Sequence, residues 1–343
     1  MEKGLISSVP YRTRGGVHVA YNKNTENCQS EQITPPKTVA IPMSQHAGVP
    51  CEPLVKVGDT VTVGQKIGDS DKFISAPIHA SVSGKVTKID EFLMSNGLKT
   101  KSVIIESDGL MTPCPDIKPP VITDAKSLIE AARESGLVGL GGAGFPAHVK
   151  LNIPEGKTID TLVINGAECE PYITSDYREM IENTETVAEG VRLIMDVMKI
   201  PKAVICIEGN KPAALQKLGK FFSDRDDITV LKLKTIYPQG AEKTIVQAAT
   251  GRKIAPGKLP ADVGCIVMNV ASISFIANYV KTGMPLVSKR ITVDGSAVTN
   301  PKNLIVPVGI SIEEVMEFCG GYKETPKKIL MGGPMLGVAV YSD

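Results

Sequence analysis

A glycine-rich stretch at residues 136–150 constrains the fold more than any other part of the sequence. It reads GLVGLGGAGFPAHVK, and five of these residues are glycine. Such a run forms neither a stable helix nor a stable strand, because glycine there costs backbone entropy. It suits a loop whose backbone turns tightly or approaches another group closely. With Pro146 predicted at the first position of a helix, the bare amides of this loop would cradle a phosphate.

The glycine spacing alone does not identify the ligand. Gly139, Gly141 and Gly144 satisfy GxGxxG, but the Rossmann form of that motif needs a strand immediately before the loop. Here the sequence predicts a helix over 124–134, with Asp124 as its N-cap and Gly136 closing it. No Gly-Lys-Ser/Thr follows, which excludes a Walker loop. Lys150 offers one positive charge for a phosphate, and a purely structural turn is the alternative interpretation.

Composition excludes several classes of function. The net charge is +1, there is no Trp, and aromatic residues make up 4% of the chain, so nucleic-acid binding is not expected. No apolar stretch approaches the twenty or so residues of a spanning helix, and the N-terminus lacks the apolar core of a signal peptide. The seven cysteines are dispersed without a CxxC pair, which argues for reduced thiols and against a metal site. Two of them, Cys206 and Cys265, are predicted to be core residues.

Changes in sequence texture divide the 343 residues into four parts. Residues 1–36 are polar and are expected to form an arm that lies on the later domains. Residues 37–115 carry short apolar runs between Gly and Pro, which is typical of an all-β domain. After a linker with four prolines at 111–122, residues 122–287 alternate strands with helices and predict a mainly parallel, Rossmann-like sheet. Residues 288–343 read as strand, turn, second strand before residue 298, helix and strand, which suggests a β-grasp module.

The all-β part resembles a lipoyl or biotinyl carrier domain, a barrel-sandwich hybrid. The resemblance rests on residues 55–68, on Ala76-Pro77 and on residues 83–86. Lys72 lies near the place of a carrier lysine, but the inserted IHASVS between Pro77 and Gly84 argues against that role. His79, within the insert, is expected to be a solvated loop residue.

Polar segments follow three of the predicted strands. NGAECEP at 165–171 follows the strand 161–164, and YPQGAEKT at 237–244 follows the strand 229–233. Asn269 follows the strand 265–268. Ligands bind at the carboxyl ends of parallel strands, so we expect these segments and the glycine loop to converge on one sheet edge. There is no HExxH or GxSxG, and the four histidines are dispersed, so the chemistry is expected to belong to a bound cofactor.

These segments also carry a family resemblance. The glycine loop resembles the flavin loop of the NADH-oxidising subunit of respiratory complex I, and the three polar segments resemble its NADEGEP, YICGEET and NNVET motifs. Over nearly the whole chain, GGVH, SAPIHASVSGKV, NGAECEP, YPQGAEK, GRKIAPGKLPADVG and MGGPMLG resemble the RnfC family. RnfC is the peripheral subunit of Rnf-type ion-translocating NADH:ferredoxin oxidoreductases.

The resemblance implies a non-covalent FMN that exchanges a hydride with NADH and passes electrons onward, with no catalytic side chain beyond the flavin itself. It implies membrane partner subunits, an iron–sulfur or ferredoxin acceptor, and a peripheral place at the cytoplasmic face of the cell membrane. Phe145, Glu170 and Glu242 would face NADH. The implied FMN contacts are Gly139, Gly141, Gly142, Gly144, Lys150, Asn165, Glu168, Tyr237, Gly240 and Asn269.

The sequence departs from the complex I pattern at Ala167, Ala241 and Met268, where that pattern has Asp, Glu and Asn. Full-length RnfC proteins continue into a domain with two cysteine-bound [4Fe–4S] clusters, whereas this chain carries no cluster motif. The clusters are therefore expected only in that extension. Two other functions stay open: a flavin electron carrier related to the cobalamin reductase of propanediol-use microcompartments, and a non-redox docking subunit.

Overall fold

Strands dominate the described part of the N-terminal third. The structure, a computed structural model, describes the backbone of residues 7–8 and all of residues 15–94 and 97–340. The strands of this region are β1 (Ser7–Ser8), β2 (Ser30–Gln32), β3 (Thr38–Pro42), β4 (Glu52–Pro53), β5 (Thr60–Val61), β6 (Lys66–Asp69), β7 (Ile78–His79), β8 (Gly84–Leu93) and β9 (Lys99–Ser107). One antiparallel sheet has the order β3-β9-β8-β5 and a second has the order β4-β6-β7.

The two antiparallel sheets enclose a common core. Alternate residues of β3, Val39 and Ile41, point inward and are fully buried, as expected for a strand with one face on a core. Gly84 begins β8 with φ +153°, and a Cβ there would lie 2.0 Å from the Glu106 carbonyl oxygen. Only glycine therefore permits the close approach of β8 to β9 at this point.

His79 corrects one expectation. The insert that contains it forms β7, which pairs with β6, and His79 is only 5% exposed. Burial lowers the pKa of its imidazole to about 4, so the prediction of a solvated loop histidine was wrong. Lys72, in contrast, is exposed and pairs with Asp71 at 3.2 Å.

A parallel sheet with helices on both faces forms the centre of the chain. Its helices are α1 (Ala125–Glu134), α2 (Ala147–Leu151), α3 (Ser175–Glu182), α4 (Thr184–Met198), α5 (Pro212–Phe221), α6 (Glu242–Thr250) and α7 (Val270–Thr282), and its further strands are β10 (Thr161–Gly166), β11 (Lys202–Glu208), β12 (Ile228–Leu233) and β13 (Cys265–Asn269). The strand order is β1-β12-β11-β10-β13, and every pairing is parallel. The chain adds β11 and β12 on one side of β10 and then β13 on the other, so the order reverses between β10 and β13.

Alternation along the strands supplies both faces of this sheet. Ile164 and Ile205 face a core with α4 and α7, whereas Val163 and Cys206 face a core with α6. Cys206 and Cys265 are fully buried, so both are core residues as predicted. The apolar stripe of α4 fits this arrangement, because its regularly spaced side chains are buried against the sheet.

The C-terminal part is a small mixed sheet with one helix. Its elements are β14 (Ser288–Val293), β15 (Lys302–Pro307), α8 (Ile312–Phe318), β16 (Ile329–Met331) and β17 (Val338–Val340). β14 pairs antiparallel with β15, and β2 of the arm adds in parallel on the other side of β15. The predicted second strand before residue 298 was wrong. The Val298 amide closes a turn on Gly295 at 3.2 Å, and the strand begins only at Lys302.

The N-terminal arm lies across the two later parts. Val17 bridges Tyr237, and the Asn22 amide donates to the Pro171 carbonyl at 3.3 Å. Asn303 of β15 donates to the Thr25 carbonyl at 2.8 Å and accepts from the Thr174 hydroxyl at 2.8 Å. The arm, the central sheet and the C-terminal sheet therefore meet at one buried amide. The rest of the predicted arm, 1–6 and 9–14, lies outside the described residues.

Within the described ranges, no helix is both long and apolar enough to cross a bilayer.

The contact between α4 and α7 gives a stability prediction. A Cβ on Gly190 of α4 would lie 2.3 Å from the Ile273 carbonyl oxygen of α7. We expect Gly190→Ala to lower the free energy of unfolding by about 2 kcal/mol, because overpacking outweighs the better helix propensity of alanine. Urea unfolding measures it.

Asp196→Ala, on the exposed side of the same helix, is the control and should change the stability by no more than about 0.5 kcal/mol. A stabilised Gly190→Ala protein would contradict this packing account.

Candidate functional site

The glycine loop is a narrow hairpin that follows α1. The Gly139 amide donates to the Phe145 carbonyl at 2.8 Å, and the Gly144 amide donates back to Gly139 at 3.2 Å. Gly142 and Gly144 have φ values of +108° and +57°, which glycine adopts without strain. As predicted, a helix and not a strand precedes the loop.

Pro146 does not begin the following helix. It is the N-cap of α2, with ψ 126°, and it still bridges Val138 in an extended conformation. The prediction of Pro146 at the first helical position was therefore wrong. Because α2 has only 5 residues, any phosphate cradle here consists of the loop amides and owes nothing to a helix terminus.

Asn269 anchors the loop to the sheet. A Cβ on Gly141 would lie 2.9 Å from Asn269 Nδ2, so only glycine lets the loop approach so closely. The Leu140 amide donates to the Ser272 hydroxyl at 3.0 Å. Asn269 also caps α7, since its Oδ1 accepts from the Ala271 and Ser272 amides at 2.9 and 3.3 Å. The loop thus lies on the carboxyl end of β13.

The end of β10 is tied to the 237–244 segment in the same way. Asn165 Nδ2 donates to the Gly240 carbonyl at 2.8 Å, and its Oδ1 accepts from the Ala167 amide at 3.1 Å. A Cβ on Gly240 would lie 2.6 Å from the Ala167 carbonyl oxygen. Tyr237 is held by two backbone bonds to Val17, each 2.8 Å.

An ion pair joins the glycine loop region to α6. Lys150 Nζ lies 3.1 Å from Glu242 Oε1, and it donates to the Val267 carbonyl at 3.4 Å. The two side chains are 27% and 41% exposed, so the pair is screened by water and weak. Lys150 can therefore exchange this carboxylate for a phosphate at little cost.

Buried charges surround Glu168 at the same edge. Its Oε1 accepts from the Asp176 amide at 2.7 Å, and its carbonyl accepts from Lys23 Nζ at 2.8 Å and Lys211 Nζ at 3.3 Å. Burial raises the pKa of Glu168, against the opposing effect of the two lysines. Lys211 also lies 3.0 Å from Glu208.

Asp176 is a further residue that the sequence analysis missed. It lies in the first turn of α3, and its Oδ2 accepts from Asn269 Nδ2 at 2.6 Å. Burial, followed by the charge of Glu168, raises its pKa to about 7. Asp176 therefore connects Glu168 to the asparagine beneath the glycine loop.

Glu170 and Phe145 occupy different positions from the other predicted residues. Glu170 accepts from the amides of Met335 and Leu336 at 3.0 and 2.9 Å, at the turn between β16 and β17. Phe145 is partly buried at the base of the glycine loop, where its carbonyl closes the hairpin. Their assignment to an NADH face stays a prediction.

The convergence of the segments follows from these contacts. The glycine loop meets Asn269, Asn165 meets Gly240, and Lys150 meets Glu242, all at the carboxyl edge of the sheet beside the β10/β13 reversal. A cleft at this edge, partly covered by the arm, is lined by Lys23, Glu168, Cys169, Glu170, Glu208 and Asn210, among others. Within residues 15–94 and 97–340, no group of three or more His, Cys, Asp or Glu side chains could hold a metal ion.

The Glu170 contact gives a local prediction. In Glu170→Ala we expect the amides of Met335 and Leu336 to exchange with solvent about tenfold faster, because each loses a charged acceptor. Hydrogen exchange read by mass spectrometry measures this. Glu313→Ala, in the exposed first turn of α8, is the control, and equal exchange in both variants would show that the contact does not hold the turn.

Sequence profiles of three domain families match this chain. The Nuo51 FMN-binding domain matches residues 132–278, the RnfC barrel sandwich hybrid domain matches residues 11–110, and the SLBB domain matches residues 290–339. The expected architecture is confirmed: an N-terminal barrel-sandwich hybrid, a central α/β flavin domain and a C-terminal β-grasp, SLBB-like module. An NAD⁺-reducing [NiFe]-hydrogenase in its air-oxidized state shares the fold, with a TM-score of 0.50 and 21% identity over 62% of this chain and 41% of that one.

Relatives with the same domain order are more similar. The RnfC-type subunit of the Na⁺-translocating ferredoxin:NAD⁺ oxidoreductase complex of Acetobacterium woodii is 43% identical over 96% of this chain and 75% of its own length. The corresponding subunit of the proton-translocating complex of Clostridium ljungdahlii is 43% identical, over 95% and 72%. Its counterpart in an ion-translocating oxidoreductase complex of Rhodobacter capsulatus is 34% identical, over 96% and 65%. Identity of this extent shows that the chain belongs to the RnfC family of ion-translocating oxidoreductase complexes.

Proposed function

We propose that this chain is the NADH/FMN module of an Rnf-type electron transport complex. It would hold FMN at the carboxyl edge of the central sheet and support hydride transfer between NADH and FMN, as part of an NADH:ferredoxin oxidoreductase. The observation that carries the proposal is the convergence of the glycine loop, Asn165, Gly240 and Asn269 at the strand reversal, inside the region that matches an FMN-binding domain. Ligands of open α/β sheets bind at such reversals.

The residues present fit a flavin phosphate. Gly141 and Gly142 are exposed, nothing lies within 4 Å of the place of a Cβ on Gly142, and the loop can present its amides to an anion. Lys150 supplies the positive charge and needs only to leave a half-exposed ion pair with Glu242. When bound, FMN supplies the two-electron and one-electron chemistry that no side chain of this site provides.

The other side chains would position the ligands. Asn165 fixes the 237–244 segment through Gly240, so the two sides of the site move together. Glu242, once released by Lys150, would be free to face NADH, and Phe145 has the apolar ring needed to stack on an adenine. Glu170 would first have to leave the amides of Met335 and Leu336.

Onward transfer requires other components. The names of the relatives place each of them in an ion-translocating complex, so we propose membrane subunits and an iron–sulfur or ferredoxin acceptor as partners. In that assembly this chain would lie at the cytoplasmic face of the membrane, with any [4Fe–4S] clusters outside its 343 residues.

Flavin binding tests the proposal through Lys150. We expect Lys150→Ala to weaken FMN binding about tenfold to a hundredfold, because a charge-assisted hydrogen bond to the phosphate is lost. Quenching of flavin fluorescence during titration gives the affinity, and anaerobic addition of NADH should bleach the flavin that the native protein retains.

Lys157→Ala is the matched control, since Lys157 forms a similar ion pair with Asp262 at 2.9 Å but lies away from the loop. It should bind FMN as the native protein does. A native protein that retains no flavin at saturating FMN would leave the non-redox docking subunit as the better interpretation.

A further inference from the structure

The N-terminal arm carries a lysine into the carboxyl edge of the central sheet. Lys23 is 7% exposed. Its Nζ donates to the carbonyls of Glu168, at 2.8 Å, and of Ile173, and it lies 3.9 Å from the Glu168 carboxylate. One ammonium thus grips both ends of the 168–173 segment, whose first residue is a predicted flavin contact.

Lys23 belongs to a buried set of four charges. Lys211 and Glu208 pair at 3.0 Å, with side chains 4% and 1% exposed, and Lys211 also reaches the Glu168 carbonyl. The set has two positive and two negative charges, so its net charge is zero. Lys23 is the member that comes from outside the sheet, about 145 residues before its partner in sequence.

The carboxylates of this set are incompletely bonded. Among the described residues, neither Glu168 Oε2 nor Glu208 Oε1 has a hydrogen-bond partner, although both atoms are buried. The ionised form of Glu168 therefore depends on nearby positive charge more than on hydrogen bonds to Oε2. A buried carboxylate that loses its counter-charge takes up a proton instead of staying ionised.

We propose that Lys23 is a positioning residue of the flavin site, which keeps Glu168 ionised and holds the 168–173 segment in place. The proposal rests on the proposed function, because Glu168 matters to electron transfer only if FMN lies against it. Lys23, Glu168 and Glu208 line the same cleft at the sheet edge, so the charge state of the set is presented to a ligand there.

Several charged groups face Glu168. They are Lys23 and Tyr21 from the arm, Glu208 and Lys211 from the end of β11 and the start of α5, and Asp176 from α3. Lys289 of β14 in turn acts on Asp176. Removal of Lys23 leaves this set with one positive charge against Glu168, Glu208 and Asp176, and proton uptake by Glu168 restores the balance.

A four-protein cycle without FMN isolates the effect of Lys23 on Glu168. It compares the native protein with Lys23→Met, Glu168→Gln and the double variant, using urea unfolding at about pH 5 and about pH 8. Burial raises the pKa of Glu168 above its unfolded value, so the folded state binds the proton more tightly and stability falls as pH rises through this range. Asp176 is unchanged in all four proteins.

We expect Lys23→Met to increase that loss, so that its folding equilibrium constant drops about tenfold more than the native one between the two pH values. In the Glu168→Gln background, Lys23→Met should add no pH-dependent loss. If Lys23→Met does not fold at about pH 8, the double variant should fold there, and that rescue supports the proposal equally. Equal pH-dependent losses in both backgrounds, or a double variant as unfolded as Lys23→Met, would overturn it.

The same four proteins loaded with FMN give the second readout, the midpoint potential as a function of pH. We expect the pH at which the slope changes to move upward by about one unit in Lys23→Met, and no such movement in the Glu168→Gln background. A slope change that Lys23→Met leaves in place would overturn the link to the flavin. If no protein retains FMN, the proposed function fails, while the unfolding cycle still decides whether Lys23 controls Glu168.

Discussion

The contact between Gly141 and Asn269 is the constraint on which the rest of the site depends. The glycine loop does not grow out of the sheet; it follows α1 and has to reach the strand ends from outside. It can do so only because residue 141 has no side chain, since a Cβ would lie 2.9 Å from the asparagine amide. Asn269 in turn is fixed by the α7 amides and by Asp176. One side chain thus sets the place of the loop, the start of α7 and the first turn of α3.

The N-terminal arm adds a second constraint, because it links parts of the chain that are distant in sequence. Asn303 bonds to the arm and to Thr174 within one buried cluster, and β2 completes the C-terminal sheet. Lys23 lies between those contacts and the sheet edge. The site is therefore not a property of the α/β unit alone, since the segment that carries Glu168 is held by residues from the arm.

Local patterns explain why much of this could be predicted. Asp124 caps α1 and Ser311 caps α8, as their positions before apolar periodic runs indicate. The rule that ligands gather at strand ends selected Asn165 and Asn269, which lie at the predicted edge. The same rule applies to Glu208 and Lys211, at the end of β11, and could have found them.

Long-range contacts explain the rest. Nothing near Lys23 in sequence shows that it will be buried against Glu168, and Asp176 reads as an ordinary first-turn residue of a helix. The burial of His79 could not be predicted because a strand of two residues leaves almost no periodic signal. Pro146 was assigned one position too far into the helix, because its pairing with Val138 is set by the hairpin as a whole.

The most direct test of the account is hydrogen exchange of the protein with and without FMN, because it asks whether the four converging segments form one site. The account predicts that FMN slows amide exchange together in residues 139–145, 165–170, 237–242 and 269–272, and leaves the core strands β3 and β9 of the barrel-sandwich hybrid unchanged. Protection confined to one of these segments, or found elsewhere in the chain, would contradict it.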